Sequence, residues 1–298
     1  MATPNRFIDP AVLASLRNLP LIAKTVVDGF LLGAHANPRP GAGLEFNQYR
    51  GYQPGDDLRL LDWKMYARSE RYYIREAEVE SSVKVRFLID ASLSMTESFQ
   101  THPTPFDYAR FLIASLAHLA HQQGDAVGLF HLADQSGQLP ARHGQRHFFR
   151  LLQHLENLQP EGAWPQWDQI EALLGSTRHR EILVVVSDLA QHSDEILHVL
   201  KKLAGAKHEI ILFQIRNRES WELAWNGPQT LQDIETGQRL EISSPKKLRQ
   251  THHQAMQRRL QDLRAQLHDL HIQHRLLYTG QPLDVALRDW LNHRNRLG

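Results

Sequence analysis

Acidic and hydroxyl side chains follow two separate apolar runs of the sequence. The first group is Asp90, Ser92 and Ser94, in the order Asp-Ala-Ser-Leu-Ser, and the second is Asp188, which follows Ser187. Carboxylate and hydroxyl oxygens are hard ligands that suit Mg²⁺, Ca²⁺ or Mn²⁺. The residue types therefore predict a divalent-cation site made of the first group and Asp188, provided that the fold brings them together.

Strand and helix patterns alternate from Val83 onward, and this alternation determines where the two groups lie. Apolar runs predict strands that are separated by helical patterns, at residues 83–89, 126–133, 181–187, 209–215 and 272–278. Such units predict an α/β fold with a doubly wound, mostly parallel sheet and right-handed crossovers. Ligands bind there outside the carboxyl ends of the strands, where the strand order reverses. If the strands before Asp90 and Asp188 are neighbours at that reversal, the two groups converge.

The rest of the chain is divided by its composition and its turn signals. Residues 1–82 form a predicted N-terminal extension, with two short helices separated at Pro20 and a later segment dense in aromatic and charged residues. Residues 83–298 form the predicted α/β domain, with a hairpin insertion near 221–242. A leucine stripe with a basic back predicts a long helix over residues 246–271, and an acidic partner could use that back.

Composition excludes several classes of protein. The 298 residues contain 34 Lys and Arg against 33 Asp and Glu, a net charge of +1, so no overall field favours nucleic acid as a partner. The absence of cysteine excludes disulfides and thiolate metal sites. The apolar stretch from Leu19 to Leu32 contains Lys24 and Asp28 and is too short to span a membrane. With no secretory signal at the N-terminus, we expect a cytoplasmic protein.

Catalytic motifs do not stand out in this sequence. It has no Gly-x-x-x-x-Gly-Lys-Ser/Thr phosphate loop, no Gly-x-Gly-x-x-Gly dinucleotide turn and no Gly-x-Ser-x-Gly nucleophile elbow, so no enzyme is expected. The alternative is a metal-dependent phosphohydrolase that uses the same crevice. With Asp90 as nucleophile it would need a second acid two residues later, and that position is Ser92.

The segment upstream of the first strand is the least generic part of the chain. It contains Glu-Phe at 45–46, Arg-Gly-Tyr at 50–52, Pro-Gly-Asp-Asp-Leu-Arg at 54–59, Asp-Trp-Lys at 62–64 and Ala-Arg at 67–68. These motifs resemble the hallmark of the bacterial domain-of-unknown-function fifty-eight family, and the resemblance covers about residues 29 to 280. The group Asp90, Ser92 and Ser94, together with Asp188, also resembles the metal-ion-dependent adhesion site of von Willebrand factor A domains.

This resemblance implies a function as well as a fold. It implies a von Willebrand factor A-like sheet in a non-enzymatic adaptor or co-chaperone, which binds a MoxR-type AAA+ ATPase, its client protein or both. It also implies Mg²⁺ or another divalent cation at Asp90, Ser92, Ser94 and Asp188. The family's metal loop adds a threonine, which the corresponding stretch Glu161 to Trp164 lacks, so we expect weak metal binding.

Two structural alternatives account for the same residues. The Asp-Ala-Ser-Leu-Ser sequence also fits an ordinary strand-end turn, in which serine and aspartate side chains cap backbone amides. The aromatic and charged segment from Tyr49 to Arg75 also fits a purely structural role, with Trp63 and Tyr72 packed and its acids and arginines paired.

Overall fold

A computed structural model of the chain describes residues 9–16, 18–35, 49–51, 66, 68, 72–75, 83–97, 102–165, 167–174, 180–190, 195–206, 208–223, 229–232, 239–242 and 245–294. Its contacts divide the chain into two compact units, residues 1–33 with 83–298 and residues 34–82. In this division the N-terminal helices belong to the larger unit. The sequence-based domain boundaries stay a prediction.

The smaller unit contains a short antiparallel ladder. Strand β1 (Tyr49–Gly51) pairs with β2 (Tyr73–Arg75), with Tyr49 opposite Arg75. The rings of Tyr66 and Tyr72 stack with their centroids 4.6 Å apart. Of the hallmark motifs, only Arg50, Gly51 and Arg68 are among the described residues, and the rest of the hallmark, with Trp63, lies outside them.

The larger unit is built around one sheet of six strands, in the order β10-β7-β6-β3-β4-β5. Its strands are β3 (Lys84–Asp90), β4 (Ala126–Leu132), β5 (Gly137–Arg142), β6 (Ile182–Ser187), β7 (Glu209–Arg216) and β10 (Gln273–Tyr278). All neighbours are parallel except the hairpin pair β4 and β5. When the six strands are renumbered along the chain and read from β5 to β10, their order is 3-2-1-4-5-6, which is common in doubly wound folds. The direction of the strand order reverses between β3 and β6. The predicted fold class is confirmed.

Helices cover both faces of this sheet. They are α1 (Pro10–Ser15), α2 (Leu19–His35), α3 (Pro105–Gln122), α4 (Gln145–Asn157), α5 (Trp167–Leu174), α6 (Glu195–Gly205), α7 (Arg218–Glu222), α8 (Pro245–Asp269) and α9 (Asp284–Arg294). The side chains of β6 alternate between the two cores, with Val184 and Val186 packed under α1–α4 and α9, and Leu183 and Val185 packed under α5, α6 and α8. Burial on both faces explains why this strand is apolar along its length.

Helix starts follow ordinary capping chemistry. The hydroxyl of Thr104 accepts a 3.0 Å hydrogen bond from the Asp107 amide, and Pro105 opens α3. The two N-terminal helices separate at residues 16–18 and not at Pro20, because proline is tolerated in the first turn of α2. The insertion between β7 and α8 contains α7 and a predicted hairpin, formed by β8 (Gln229–Gln232) and β9 (Arg239–Ile242).

Strand β5 forms one edge of the sheet and carries a proline. Pro140 lies in its middle, and the register with β4 shifts between Val127 and Leu129. A side chain at Gly128 would lie 2.7 Å from the Ala141 nitrogen, so this position needs glycine. Among the described residues, no helix is long and apolar enough to cross a membrane.

Candidate functional site

The carboxyl ends of β3 and β6 bring the two predicted groups together. The strands pair in parallel with Ile89 opposite Val186, so Asp90 ends one strand beside the end of the other. Ser187 Oγ donates a 2.6 Å hydrogen bond to Asp90 Oδ2. Ser94 Oγ donates to Asp188 Oδ1 over 3.4 Å. The chain therefore joins residues almost a hundred positions apart at the point where the strand order reverses.

Asp90 is the centre of this cluster. Its Oδ1 accepts hydrogen bonds from the Ser92 amide at 3.0 Å and from Ser92 Oγ at 2.6 Å. Ser92 Oγ also lies 3.0 Å from Ser94 Oγ. Asp90, Ser92, Ser94, Ser187 and Asp188 form one hydrogen-bonded network, which we call the crest. The turn-capping alternative is correct for Asp90, and it coexists with the predicted convergence.

Most of the crest lies below the surface. The exposed fraction is 0% for Asp90 and Ser92 and 4% for Asp188. Ser94 is half-buried and belongs to the 3₁₀ turn Leu93–Thr96. A partner protein would therefore contact this turn first, and it would reach the carboxylates only through the hydroxyls or through a bound ion or water.

Burial and like charge set the electrostatics of the two acids. Burial, and then the neighbouring Asp188 carboxylate, raise the pKa of Asp90 to about 7, although its hydrogen bonds from Ser187 and Ser92 oppose the rise. Burial also raises the pKa of Asp188, against the lowering effect of the Arg216 guanidinium. The crest thus holds two acids whose simultaneous ionisation is unfavourable without a nearby positive charge.

Two residues of this site were missed by the sequence analysis as functional candidates. Ser187 bridges to Asp90, and its Oγ also accepts a 3.0 Å hydrogen bond from the Leu189 amide. Arg216 ends β7, and its Nη2 donates a 3.1 Å hydrogen bond to the Leu189 carbonyl. Leu189 has a φ of 53°, so these bonds hold a left-handed residue beside Asp188. Their positions in the chain could have identified them, because Ser187 ends β6 at the switch point and Arg216 ends the neighbouring strand β7.

A third loop reaches the crest through its backbone. The Glu161 amide donates a 2.8 Å hydrogen bond to the Ala91 carbonyl, and the Leu93 amide donates a 3.0 Å bond to the Gly162 carbonyl. Gly162 has a φ of 60°, and an added Cβ would lie 2.0 Å from the Asp134 carboxylate. This is the loop in which the family's threonine was expected. It lies beside the crest and contributes no hydroxyl.

The donor set fits a divalent cation in its chemistry. Two carboxylates and three hydroxyls offer hard oxygen ligands, and positive charge would offset the repulsion between the acids. Among the described residues, no group of three or more His, Cys, Asp or Glu side chains could hold a metal ion. Serine hydroxyls and water would therefore have to complete the coordination, and the predicted metal site stays a prediction.

Fold and crest together define a doubly wound α/β domain with an acid–hydroxyl cluster at its switch point. This chain belongs to the family described as "Protein of unknown function DUF58", whose profile matches residues 48–262. The resemblance to that family is confirmed. The uncharacterized protein Rv1480 of Mycobacterium tuberculosis is 30% identical over 247 residues, which cover 81% of this chain and 76% of that protein.

Solved structures with a related fold are more distant. The conserved hypothetical protein BatB of Bacteroides thetaiotaomicron has 13% identity and a TM-score of 0.46, covering 73% of this chain and 100% of that chain. The VWA domain of SpRpn10 has 14% identity and a TM-score of 0.40, covering 70% of this chain and 95% of that chain. At such scores, the strand order of the chain itself is the basis of the fold assignment.

Proposed function

We propose that this protein is a cytoplasmic, non-enzymatic adaptor or co-chaperone that binds a MoxR-type AAA+ ATPase, its client protein or both through the crest. The observation that carries the proposal is the hydrogen bond from Ser187 to Asp90, which joins the ends of β3 and β6 where a doubly wound sheet binds its ligands. The association of the resembled family with MoxR-type ATPases supports the choice of partner.

The residues that cover the crest determine what a partner contacts. They are the turn Leu93–Thr96, which includes Ser94 of the crest, and the adjoining Glu97. All of these residues are half-buried except Met95, which is buried. Beneath the turn, the bonds from Ser92 and Ser187 hold Asp90 in one orientation. This arrangement supports a pre-formed recognition surface on a rigid base.

Asp90, Ser92, Ser94 and Asp188 would hold a divalent cation, and the hydrogen bond from Ser187 would orient Asp90. When bound, the cation would supply positive charge and open coordination positions for a carboxylate of the partner. The chain's own part is to orient the hydroxyls and to keep the acids close. Because a proton on Asp90, whose pKa burial and Asp188 raise to about 7, competes with the cation, cation binding should strengthen as the pH rises through about 7.

The phosphohydrolase alternative is less well supported. Both carboxylate oxygens of Asp90 accept hydrogen bonds, and the side chain is fully buried, which is unfavourable for a nucleophile that must reach a phosphate ester. Turnover of a phosphate ester in Mg²⁺ or Mn²⁺ that disappears in Asp188→Ala would support this alternative against the adaptor.

A pull-down of the MoxR-type ATPase encoded in the same genome tests the proposal. Ser94→Ala removes a crest hydroxyl, and Ser15→Ala is its matched control, because Ser15 lies in α1, outside the crest and its turn, and its hydroxyl donates a 2.6 Å hydrogen bond to the Val12 carbonyl. We expect binding of the wild type and of Ser15→Ala in Mg²⁺, and losses of about tenfold in chelator and in Ser94→Ala. Equal binding in all samples would remove the crest from the mechanism, and no binding in any sample would remove the ATPase.

A further inference from the structure

Three arginines surround a shallow pocket at the opposite end of the sheet from the crest. Arg142 ends β5 opposite Val127, which lies at the start of β4, whereas the crest lies at the strand ends. Arg146 and Arg150 follow on α4. The pocket has a volume of about 430 Å³ and is lined by Arg142, His143, Gly144, Gln145, Arg146, His147 and Arg150. We call the three arginines with His143 and Gly144 the basic pole.

Nothing in the described part of the chain neutralises this charge. All three arginine side chains are exposed, and no described carboxylate lies within ion-pair distance of them. Some other exposed arginines do have carboxylate partners, for example Arg275 with Asp289 at 2.8 Å. The basic pole therefore presents uncompensated positive charge to solvent.

The arrangement is unfavourable for the isolated protein. The first turn of α4 has no acidic residue and contains Arg146, although negative charge is favoured at a helix N-terminus. Arg146 and Arg150 lie four residues apart on one helix face, where like charges repel. Anionic groups bound at the pole would offset both unfavourable interactions.

The backbone under the arginines is firmly placed. His147 is 7% exposed, and its Nε2 donates a 2.9 Å hydrogen bond to the Val127 carbonyl, which fixes α4 against β4. His143 Nδ1 donates a 3.0 Å hydrogen bond to the Gly124 carbonyl, which fixes the connection before α4. The guanidinium groups thus extend from an ordered base, which lowers the entropic cost of binding.

We propose that the basic pole binds an acidic segment of a partner protein. Arginine pairs with carboxylates in a bidentate geometry, and three arginines around one pocket can engage successive acidic side chains. Phe149 is 49% exposed on the same helix, so an apolar residue of the segment would also find a contact there. Nucleic acid is less favoured, because its affinity comes from many phosphate contacts and the whole chain carries a charge of only +1.

This surface is independent of the crest. If both proposals hold, one end of the sheet takes one protein and the other end takes a second, and the two could be bound at the same time.

Fluorescence anisotropy of a labelled octaglutamate peptide, at low and at physiological salt, tests the proposal on the full chain. Arg146→Glu with Arg150→Glu reverses two charges of the pole. Lys201→Glu with Lys202→Glu is the matched control, because it changes the net charge equally at exposed residues of α6. We expect saturable binding by the wild type, a loss of about tenfold in the pole variant and about twofold or less in the control. Asp188→Asn should bind the peptide as the wild type does.

Several outcomes would overturn the proposal. They are absence of saturable binding, equal losses in the pole variant and the control, and loss of peptide binding in Asp188→Asn. A labelled oligothymidine that binds more tightly than the peptide, and is lost in the pole variant, would show a nucleic-acid surface instead. Circular dichroism checks that every variant is folded, including Asp188→Asn, whose side chain is buried.

Discussion

The crest and the basic pole lie at opposite ends of the same sheet, and they satisfy their polar groups in opposite ways. At the crest, both oxygens of Asp90 accept hydrogen bonds from within the chain, and the side chain is fully buried. At the pole, Arg142, Arg146 and Arg150 are exposed and have no acidic partner among the described residues. The crest satisfies its hydrogen bonds within the chain, whereas the pole lacks a counter-charge among the described residues.

This difference helps to distinguish polar residues that stabilise the fold from polar residues that bind a partner. A buried acid with several donors contributes to stability whatever its function is, so its presence alone says little about a ligand. Exposed like charges at the wrong end of a helix contribute nothing to folding, and a partner is the simplest reason to keep them. The two ends should therefore respond differently to substitution.

The largest difference in stability is expected between Asp90→Ala and Arg150→Ala. Removing the Asp90 carboxylate leaves the Ser92 amide and the hydroxyls of Ser92 and Ser187 buried without their acceptor. We expect a loss of roughly 3 kcal/mol in the free energy of unfolding, measured by urea denaturation, and a change within about 0.5 kcal/mol for Arg150→Ala.

Asp90→Asn is the control for this prediction. It keeps one acceptor oxygen in nearly the same shape, so its loss should be smaller than that of Asp90→Ala. If Asp90→Ala is as stable as Arg150→Ala, the hydrogen bonds of the crest do not stabilise the fold, and the contrast between the two ends disappears.

A pH-dependent effect is expected on the crest side of the sheet. Gln214 donates a 3.5 Å hydrogen bond to the Asp188 carbonyl, and its Oε1 accepts one from His274 Nε2 at 3.1 Å. Burial, and then the charges of Arg264 and Arg275, lower the pKa of His274 to about 4. The neutral ring therefore stabilises the fold above the ordinary histidine pKa of about 6.5, and this contribution is lost as the pH falls from about 6.5 to 4.

Thermal unfolding between pH 7 and pH 4.5 measures this effect. His274→Gln keeps a donor towards Gln214 but does not titrate, so its melting temperature should fall less on acidification than that of the wild type. Several other histidines also have a pKa lowered by burial, including His118, His131 and His208, so part of the acid sensitivity should remain. Identical slopes for the two proteins would contradict the prediction.

The smallest expected effect is a gain in stability at the basic pole. Arg146→Glu places an acid in the first turn of α4 and changes its repulsion with Arg150 into attraction. We expect the free energy of unfolding to rise by about 0.5 kcal/mol while octaglutamate binding weakens. A loss of stability would mean that the arginine has a structural contact, and the pole would then no longer differ from the crest in this respect.

Much of the fold could be predicted from the sequence, because the relevant signals are local. The apolar runs at residues 83–89 and 181–187 predicted the strands β3 and β6, and the strand–helix alternation predicted a parallel sheet with a switch point. That β3 and β6 are neighbours at this switch point was a condition in the sequence analysis, and the structure supplies it. The predictions needed only periodicity and the rule for parallel sheets.

The burial of the crest and the position of the basic pole could not be predicted in this way. How deeply Asp90 lies depends on the loops after β3 and β6 and on the 161–163 loop between α4 and α5, and no local pattern reports their packing. The sequence analysis noted only that an acidic partner could use the basic back of α8, because it counted charge along one helix. The pole combines the end of β5 with the start of α4, and whether its arginines are paired depends on tertiary contacts.

Pro140 in the edge strand has a consequence for how this protein could assemble. A strand without an amide hydrogen at its centre, and with a register shift against its neighbour, is a poor template for a further strand from another molecule. Higher-order complexes should therefore not grow sideways from β5 by backbone pairing. Any such contact would have to rely on side chains.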